Sequence, residues 1–389
     1  MSGTRVEPRG HTLGIIGSGQ LGRMLALAAL PLGVHCRFLA RGDADAVATF
    51  SGTVSVAPAS DPRAAERAFA QGLTALTTEI ENVDAATLAR LAEAEPGCAL
   101  WPPAAAIACK RDRREERALL ARLGLPQGAW AATPDVDPGA ARETLRRGLE
   151  AAVAAVGTPC RVKAAVGGYD GRGQWRVAAA ADIDAVDLAA APFVVEAEVP
   201  FDEEFSLLGT FAGDGSAPRC WAPTVNRHAD GMLVRSEVAE GRIPLALQLA
   251  AEDVLTRLGH ALGYRGVLAL ELYRVGNAVL INEFAPRVHN SGHWTIEGAS
   301  CSQFENHVRA VLGLPLGDTR LRAPCVSWNV VGRWPDRAAL LRIPDLHVHD
   351  YVKAPRAGRK LGHLTLWDAR PDDGRARAVE ALLAAAADG

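Results

Sequence analysis

Ile281-Asn282-Glu283-Phe284-Ala285-Pro286-Arg287-Val288-His289-Asn290-Ser291-Gly292-His293-Trp294 crowds carboxylate, amide, guanidinium and imidazole groups into one short run, a density that ordinary core strands do not carry. Just upstream, residues 267–274 and 278–281 read as two apolar strands, and Gly276-Asn277 supplies the turn of a β-hairpin. Glu271 interrupts the first apolar run and Asn282-Glu283 end the second, so a hairpin of this length brings both carboxylates onto one face. Two neighbouring carboxylates need a cation. An all-oxygen pair suits a hard ion, and Mg²⁺ characteristically takes one or two carboxylates and completes its shell with substrate phosphates. A nucleoside triphosphate is therefore expected. The competing reading, Glu271 and Glu283 as surface carboxylates on an edge strand, turns on whether other stretches also point to phosphate.

The 389 residues, 49% hydrophobic and 22% charged, suffice for two or three domains with sizeable cores. A formal net charge of −3 gives no global pull towards nucleic acid or an anionic membrane, so neither is an expected partner and any phosphate site has to be a local cluster. Seven cysteines, Cys36, Cys98, Cys109, Cys160, Cys220, Cys301 and Cys325, are scattered singly without a C-x-x-C spacing, and the odd number argues against a disulfide framework. The polar start, with Arg5, Glu7 and Arg9, is wrong for a signal peptide, and no apolar run reaches bilayer length. These features describe a cytoplasmic enzyme in a reducing compartment.

Residues 12–16 form a short apolar strand, followed by Gly17-Ser18-Gly19-Gln20-Leu21-Gly22 and an Ala/Leu-rich helix. Such a turn lets amide N–H groups and a helix N-terminus approach an anion, commonly a phosphate. A dinucleotide site would want an acidic residue ending the second strand, but 34–40 runs into Arg41-Gly42 with Asp43 only beyond, which counts against NAD. Strands at 53–56 and 73–77 alternate with helices at 62–70 and 84–94, giving a doubly wound α/β unit that ends near Pro102-Pro103. Thr78-Glu79-Ile80-Glu81 stands at the carboxyl edge of that sheet, where open α/β folds bind ligands, so Glu79 could hold a ligand amine or hydroxyl. Equally, both glutamates could simply lead into the helix at Asp84, whose N-terminal dipole favours negative charge.

Residues 110–123 read as one charged amphipathic helix with most charges in water, closed by Gly124 and Pro126. After a loop at 134–139 and a helix at 140–156, the strand 160–163 leads into Ala164-Ala165-Val166-Gly167-Gly168-Tyr169-Asp170-Gly171-Arg172-Gly173-Gln174-Trp175. Its glycines let main-chain amides cover phosphate, and Lys163 supplies a point charge. The G-K-[ST] ending is missing and a strand follows, so this is not a P-loop. A strand at 193–196 ends in Glu196, 197–200 is an extended connector able to grip an adenine edge, and Glu204 could accept from ribose hydroxyls. Helices at 244–263 and 302–314 flank the hairpin. Beyond them lie a strand at 325–331, the segment His347-Val348-His349-Asp350-Tyr351, and the basic turn Lys353-Ala354-Pro355-Arg356-Ala357-Gly358-Arg359-Lys360, an anion trap or a solvated loop.

Taken in order, five motifs carry a resemblance that runs from about Gly14 to the carboxyl terminus: the glycine turn at 17–22, Thr78-Glu79-Ile80-Glu81, the glycine-rich run at 167–175, the opening stretch from Asn282 to Trp294, and Gly358-Arg359-Lys360-Leu361-Gly362-His363. The set resembles the ATP-grasp superfamily, and within it the 5-(carboxyamino)imidazole ribonucleotide synthases. One departure is Ala164-Ala165-Val166, where relatives often carry polar or charged residues, which bears on the contacts of the loop. The resemblance implies an α/β ATP-grasp fold, with an amino-terminal Rossmann-like (pre-ATP-grasp) domain at 10–105, an ATP-grasp domain at 106–315 and a small carboxyl-terminal domain at 316–389.

It also implies site residues. ATP would be held by Lys110, Lys163, Gly168, Tyr169, Asp170, Gly171, Arg172, Gly173, Gln174, Glu196, Ala197, Glu198, Val199, Glu204, His228, Asn282 and Glu283, with Glu271 and Glu283 on Mg²⁺, for which Mn²⁺ would substitute. Arg287, His289 and Asn290 would face bicarbonate. The aminoimidazole ribonucleotide would meet Gln20, Leu21, Glu79, Tyr169, Arg172, Lys353, Arg359 and Lys360, the last three on its phosphate. The implied reaction of purine biosynthesis carboxylates the exocyclic amine through carboxyphosphate, leaving ADP and phosphate, in a homodimer. The nearest rival is a formate-dependent glycinamide ribonucleotide transformylase, disfavoured by the His-Asn-Ser-Gly-His-Trp run. A rival of another class, a non-catalytic or redox dinucleotide-binding protein, rests on the glycine turn alone.

Overall fold

Short apolar runs separated by helices build the first layer. β1 (Thr12–Ile16), β2 (His35–Ala40), β3 (Thr53–Ser55), β4 (Ala75–Thr78) and β5 (Ala99–Leu100) pair in parallel in the order β3-β2-β1-β4-β5. Parallel neighbours cannot be joined by tight turns, so helices Gln20–Ala29, Pro62–Ala70 and Ala85–Ala94 make three of the crossovers. The chain changes direction across the sheet between β1 and β4, and their carboxyl ends set the glycine turn beside Glu79. The computed structural model describes every residue except 1–9, 41, 51, 56–61, 96, 136–140, 168–172, 371–372 and 388–389. Gly168, Tyr169, Asp170, Gly171 and Arg172, and the 136–139 part of the expected loop, lie outside the described residues.

A second, antiparallel sheet contains β6 (Trp130–Ala132), β7 (Cys160–Ala164), β8 (Gln174–Val177) and β9 (Phe193–Ala197) in the order β6-β9-β7-β8. Helix Arg142–Val156 closes it by burying Leu149, Ala152 and Val153 against Val162, Phe193 and Val195. The third sheet is the largest: β10 (Glu203–Phe211), β11 (Arg219–Cys220), β12 (Thr224–Ala229), β13 (Met232–Val238), β14 (Gly266–Val275), β15 (Ala278–Ala285), β16 (Cys325–Val331), β17 (Leu346–Asp350) and β18 (Lys360–Trp367). Its order is β15-β14-β10-β12-β13-β16-β18-β17, with β11 beside β10. Because β13 pairs with β16, the carboxyl-terminal strands prolong the sheet that carries the hairpin. A helix at Gly374–Ala387, outside every motif named above, follows β18.

The hairpin of β14 and β15 places Glu271 directly opposite Glu283, as the register argument requires. The second strand does not stop at Ile281, however. Leu272 pairs with Ile281 and Glu271 with Glu283, so Asn282 is the extra residue of a bulge, after which apolar pairing resumes with Phe284, which is fully buried, and Ala285. A second departure concerns 110–123. Two helices stand there, Ala104–Arg111 and Arg113–Arg122, broken at Asp112, whose carboxylate caps the second through the Arg114 N–H. Their charges are not mostly solvated either: Lys110, Glu116 and Arg117 are buried.

Helix Gln303–Val311 packs between the first layer and β14, adding Phe304, Val308 and Val311 to a cluster that includes Leu21, Met24, Leu25 and Val267. Within it His307 lies 2.8 Å from Thr77 Oγ1 on β4 through Nε2, and accepts the Val267 N–H at 3.0 Å through Nδ1, tying two sheets together. Burial lowers its pKa from 6.5 to about 4. A folded-state value below the unfolded one means that this stabilisation is complete above about pH 6.5 and is lost as pH falls towards 4. The thermal midpoint of the wild type should therefore drop more steeply between pH 6.5 and 4 than that of His307→Gln, and parallel slopes would remove His307 as a pH-sensitive tie.

Candidate active site

Side chains from all three sheets converge on one cavity of about 900 Å³. The first layer contributes Gln20, Leu21, Glu79 and Glu81, the second sheet Lys163, Gln174, Glu196 and Ala197, and the third Glu204, His228, Glu271, Tyr273, Asn282, Glu283 and Lys360. The broken helix pair adds Lys110, Arg113 and Arg117, and the turn after β15 adds Arg287, His289 and Asn290. Glu198 and Val199 line it as well.

Charge inside the cavity is balanced pair by pair. Lys110 Nζ stands 2.6 Å from Glu283 and 3.1 Å from Glu116, which also accepts the Phe284 N–H at 3.0 Å. Burial pushes Glu283 up, but Lys110 and Arg113, the latter at 3.5 Å, override it and hold the carboxyl well below its usual range. Burial likewise lowers Lys110, yet Glu116 and Glu283 outweigh it and leave the ammonium harder to deprotonate than usual. Glu196 sits between Lys163 at 2.6 Å and Arg117 at 2.8 Å, and against the opposing effect of burial these cations hold it at about 2. Glu271 lies 3.0 Å from His289 Nε2, a contact that outweighs burial and the facing Glu283 and lowers its pKa.

The expected bicarbonate residues do come together beside this pair. Arg287 pairs with Glu81 at 2.8 Å, His289 Nδ1 lies 2.8 Å from Ser291 Oγ, and Asn290 Nδ2 is buried without a partner among the described residues. Of the expected nucleotide contacts, Glu204 and His228 bond one another at 2.7 Å, and although burial lowers the imidazole pKa, this bond and the nearby Glu271 raise it overall. Ala197 and Val199 border the cavity, while the Glu198 carboxylate is taken by Arg161 and Arg176. Gly173 lies at the foot of the glycine turn, its carbonyl accepting the Ala164 N–H at 2.8 Å. The neighbouring Ala165 carbonyl accepts the Arg113 N–H at 2.9 Å, and Val166 bridges to Asp112, so main-chain contacts fasten the Ala-Ala-Val run to the broken helix.

The tail reaches the first layer: Lys353 donates to Gln20 and Arg359 pairs with Asp43. Burial lowers the pKa of Lys353. At the glycine turn the expected anion is internal, which corrects the phosphate reading of that motif. Glu79 accepts the N–H groups of Gly19 and, at 2.9 Å, Gly22. Gly17, at φ +114°, has room for no side chain, since a Cβ there would stand 2.5 Å from Glu79 Cγ. The glycines admit a carboxylate of the chain itself where a dinucleotide protein would hold pyrophosphate.

Sequence reasoning missed Arg113, Glu116 and Arg117. A signal existed: Arg113 and Arg117, and Glu116 and Leu120, are four apart on a helix whose Leu119 and Leu120 are apolar and buried. It also missed Phe201 and Tyr273, cavity-lining rings stacked at 4.6 Å and 11°. They are far apart in sequence, and only the pairing of β10 with β14 brings them together.

Residues 11–111 match the ribonucleotide synthetase preATP-grasp domain, 139–304 the ATP-grasp domain, and 325–377 the phosphoribosylaminoimidazole carboxylase C-terminal domain. The chain is 41% identical over 377 residues to the N5-carboxyaminoimidazole ribonucleotide synthase of Pseudomonas aeruginosa, spanning 96% of this chain and 99% of that protein. The Escherichia coli enzyme of the same name is 36% identical over 375 residues, 95% of this chain and 93% of that one. Among solved structures, the synthetase of Thermus thermophilus superposes with a TM-score of 0.82 at 39% identity, covering 96% of each chain. The Aspergillus clavatus synthase, solved with ADP and 5-aminoimidazole ribonucleotide, gives 0.84 at 25% identity, covering 97% of this chain and 99% of that one.

Arg117 ties two parts of the cavity wall together: it binds Glu196 and the carbonyls of Ile281, at 3.3 Å, and Asn282, on both sides of the bulge. Arg117→Ala leaves a buried carboxylate short of a partner and should cost about 3–5 kcal/mol of stability. Chemical denaturation measures this, and a loss below about 1 kcal/mol would place the pair with solvated surface bridges.

Proposed function

The chain belongs to the N5-carboxyaminoimidazole ribonucleotide synthases, a family of ATP-grasp ligases that form a C–N bond in purine biosynthesis, and from this premise we propose how its cleft divides the work. The observation that carries the division is the bulged hairpin. It sets Glu271 against Glu283 and delivers Arg287, His289 and Asn290 to the same cavity that Lys360 lines from the tail.

Glu271 and Glu283 are assigned to Mg²⁺. The donor set fits: two opposed carboxylates and, among the described residues, no cage of three or more His, Cys, Asp or Glu side chains, which suits an ion that takes much of its shell from substrate phosphates. When bound, the ion would neutralise phosphate oxygens, and Mn²⁺, another ion suited to oxygen ligands, would substitute. Lys110 and Lys163 supply positive charge to the triphosphate, and Arg113 adds to it. The amides of Gly168, Tyr169, Asp170, Gly171, Arg172, Gly173 and Gln174 cover it, Ala197 to Val199 border the adenine, Glu204 and His228 meet the ribose, and Asn282 and Glu196 complete the wall.

Arg287, His289 and Asn290 hold bicarbonate. The unpartnered Asn290 Nδ2 is a donor for one of its oxygens, and Arg287 offers charge once it shares Glu81. A bicarbonate oxygen bonds to the γ-phosphorus while ADP leaves with the electrons of the broken P–O bond. The carboxyl group of carboxyphosphate then passes to the exocyclic amine, and phosphate departs with the amine's proton. Gln20, Leu21, Glu79, Tyr169 and Arg172 receive the ribonucleotide, with Lys353, Arg359 and Lys360 on its phosphate. Positioning and exclusion of water replace any covalent nucleophile.

We further infer a homodimer in a reducing, cytoplasmic setting. The inference is supported by the family resemblance and by seven cysteines of which none forms a disulfide. No helix among the described residues is long and apolar enough to cross a membrane. We place the domain boundaries at 10–105, 106–315 and 316–389; the second sheet and the tail each have an apolar cluster of their own, while one further cluster joins the first layer to Val267, Phe304 and Tyr351 across those boundaries.

The decisive assay is phosphate release from ATP with aminoimidazole ribonucleotide plus bicarbonate, run beside glycinamide ribonucleotide plus formate. Release only with the second pair would transfer the chain to the transformylase reading. Glu283→Gln should abolish Mg²⁺-dependent turnover with the fold intact, because the amide keeps the volume and withdraws one anionic ligand. Turnover like the wild type at limiting Mg²⁺ would refute that assignment. Asn290→Ala should cut bicarbonate-dependent phosphate release by on the order of ten- to a thousandfold while ADP affinity stays unchanged. A joint fall of ADP affinity and melting temperature, with normal bicarbonate dependence, would make Asn290 a structural residue.

A further inference from the structure

Two histidines of the motifs, His293 and His363, do not line the cleft, and they are almost completely buried, at 2% and 1% exposure. His293 closes the turn Asn290–Gly292, its N–H donating to the Asn290 carbonyl at 3.1 Å. Its ring packs against Phe304 at 5.8 Å and stacks on His363 at 4.4 Å and 28°. His363 in turn stacks on His349 at 4.2 Å and 8°. Glu297 anchors the far end, 2.7 Å from His349 Nε2, and the Tyr351 hydroxyl lies 2.8 Å from His363 Nδ1. Burial first, and neighbouring imidazoles second, keep His293 and His363 well below the usual histidine range, so these rings stack uncharged.

Carboxylation chemistry requires none of these rings, so their role is read from what they join. His293 follows Asn290 by three residues, and His363 follows Lys360 by three on β18. His349 precedes Lys353 by four. The contacts therefore run from the turn assigned to bicarbonate to the tail assigned to the ribonucleotide phosphate, through flat, rigid side chains with few rotamers. A spacer of this kind matters to the second half of the reaction. Carboxyphosphate either gives its carboxyl carbon to the amine nitrogen, phosphate leaving with the amine's proton, or breaks down to CO₂ and phosphate with no amine in reach.

We infer that His293, His363 and His349 are positioning residues whose stack fixes the distance between the bicarbonate turn and the phosphate-binding tail, and so couples ATP cleavage to carboxylation. The inference rests on the assignment of the cleft given above. Its test uses the full-length enzyme and three variants: His363→Ala, His363→Phe, which restores a flat ring, and His349→Ala, at a partly exposed position that does not open the core. Calorimetric ADP affinity and KM for the ribonucleotide are measured with the ratio of phosphate released to ribonucleotide carboxylated. The wild type should give a ratio near one, and failure of the wild type to carboxylate at all overturns the assignment itself.

With a coupled wild type, both alanine variants should keep ADP affinity within about twofold. They should raise KM for the ribonucleotide on the order of tenfold and release phosphate in excess of product. His363→Phe should recover most of the coupling. Variants that keep a ratio near one, or that lose ADP affinity and ribonucleotide KM in equal measure, overturn the inference while leaving the function of the cleft intact. If His363→Ala does not fold, the ratio for His349→Ala decides alone.

Discussion

A buried carboxylate stays ionised only beside a cation, and the cleft is organised around that constraint. Glu116, almost fully buried, and Glu196, largely so, would each cost several kcal/mol to desolvate alone, and Glu283, which opens to the cavity, less. Lys110 lies within hydrogen-bond reach of two of them, and Lys163 and Arg117 answer the third. Within the second sheet Glu196 on β9 meets Lys163 on β7, but the other pairs cross between elements. Glu283 stands on β15, Glu196 on β9 and Lys110 on the broken helix pair, so the electrostatic pairs also hold the layers in place. On the proposed assignment, a triphosphate with its divalent ion would bring both signs at once, so that the cations and carboxylates would exchange partners without stranding a charge.

The bulge at Asn282 lets the hairpin serve this arrangement and still close a core. Without an extra residue, carrying both glutamates to one face would shift every later side chain of β15 to the wrong side. With it, Glu283 opposes Glu271 and the next residue, Phe284, points the other way and is fully buried, in ordinary strand alternation. Arg117, donating to the carbonyls on either side of the bulge, satisfies the acceptors that the disrupted ladder leaves over. Continuity of the large sheet does the rest. Because β16 and β18 extend it past β13, Lys360 arrives at the rim of a cavity whose other wall lies far away in sequence.

What could be read from the sequence was what local pattern controls. The alternating strands and helices of the first layer and the hairpin with its opposed glutamates follow from period, turn residues and composition, and stand where those signals put them. What could not be read was what tertiary packing decides. The 110–123 segment has the composition of a solvated helix, and its charges are buried only because carboxylates from two sheets come to meet them. The Phe201 and Tyr273 stack has no local trace, since it depends on which strands are neighbours. Continuation of β15 past Ile281 was hidden because a bulge breaks the period on which strand reading relies.

The glycine turn shows how a motif can be structurally right and chemically ambiguous. Strand, Gly-x-Gly-x-x-Gly and helix together present amide N–H groups to an anion, and the structure puts an anion there. Nothing in the pattern says whether that anion is a ligand's or the protein's own. The deciding residue, Glu79, lies sixty positions away from Gly19, directly after β4, and its carboxylate fills the place a pyrophosphate would need. Each carboxylate oxygen keeps a second lone pair after accepting one amide. The same glutamate can therefore brace the turn and still present an acceptor to the cavity it lines, which makes a dinucleotide at this loop incompatible with the structure and an amine or hydroxyl beside it compatible.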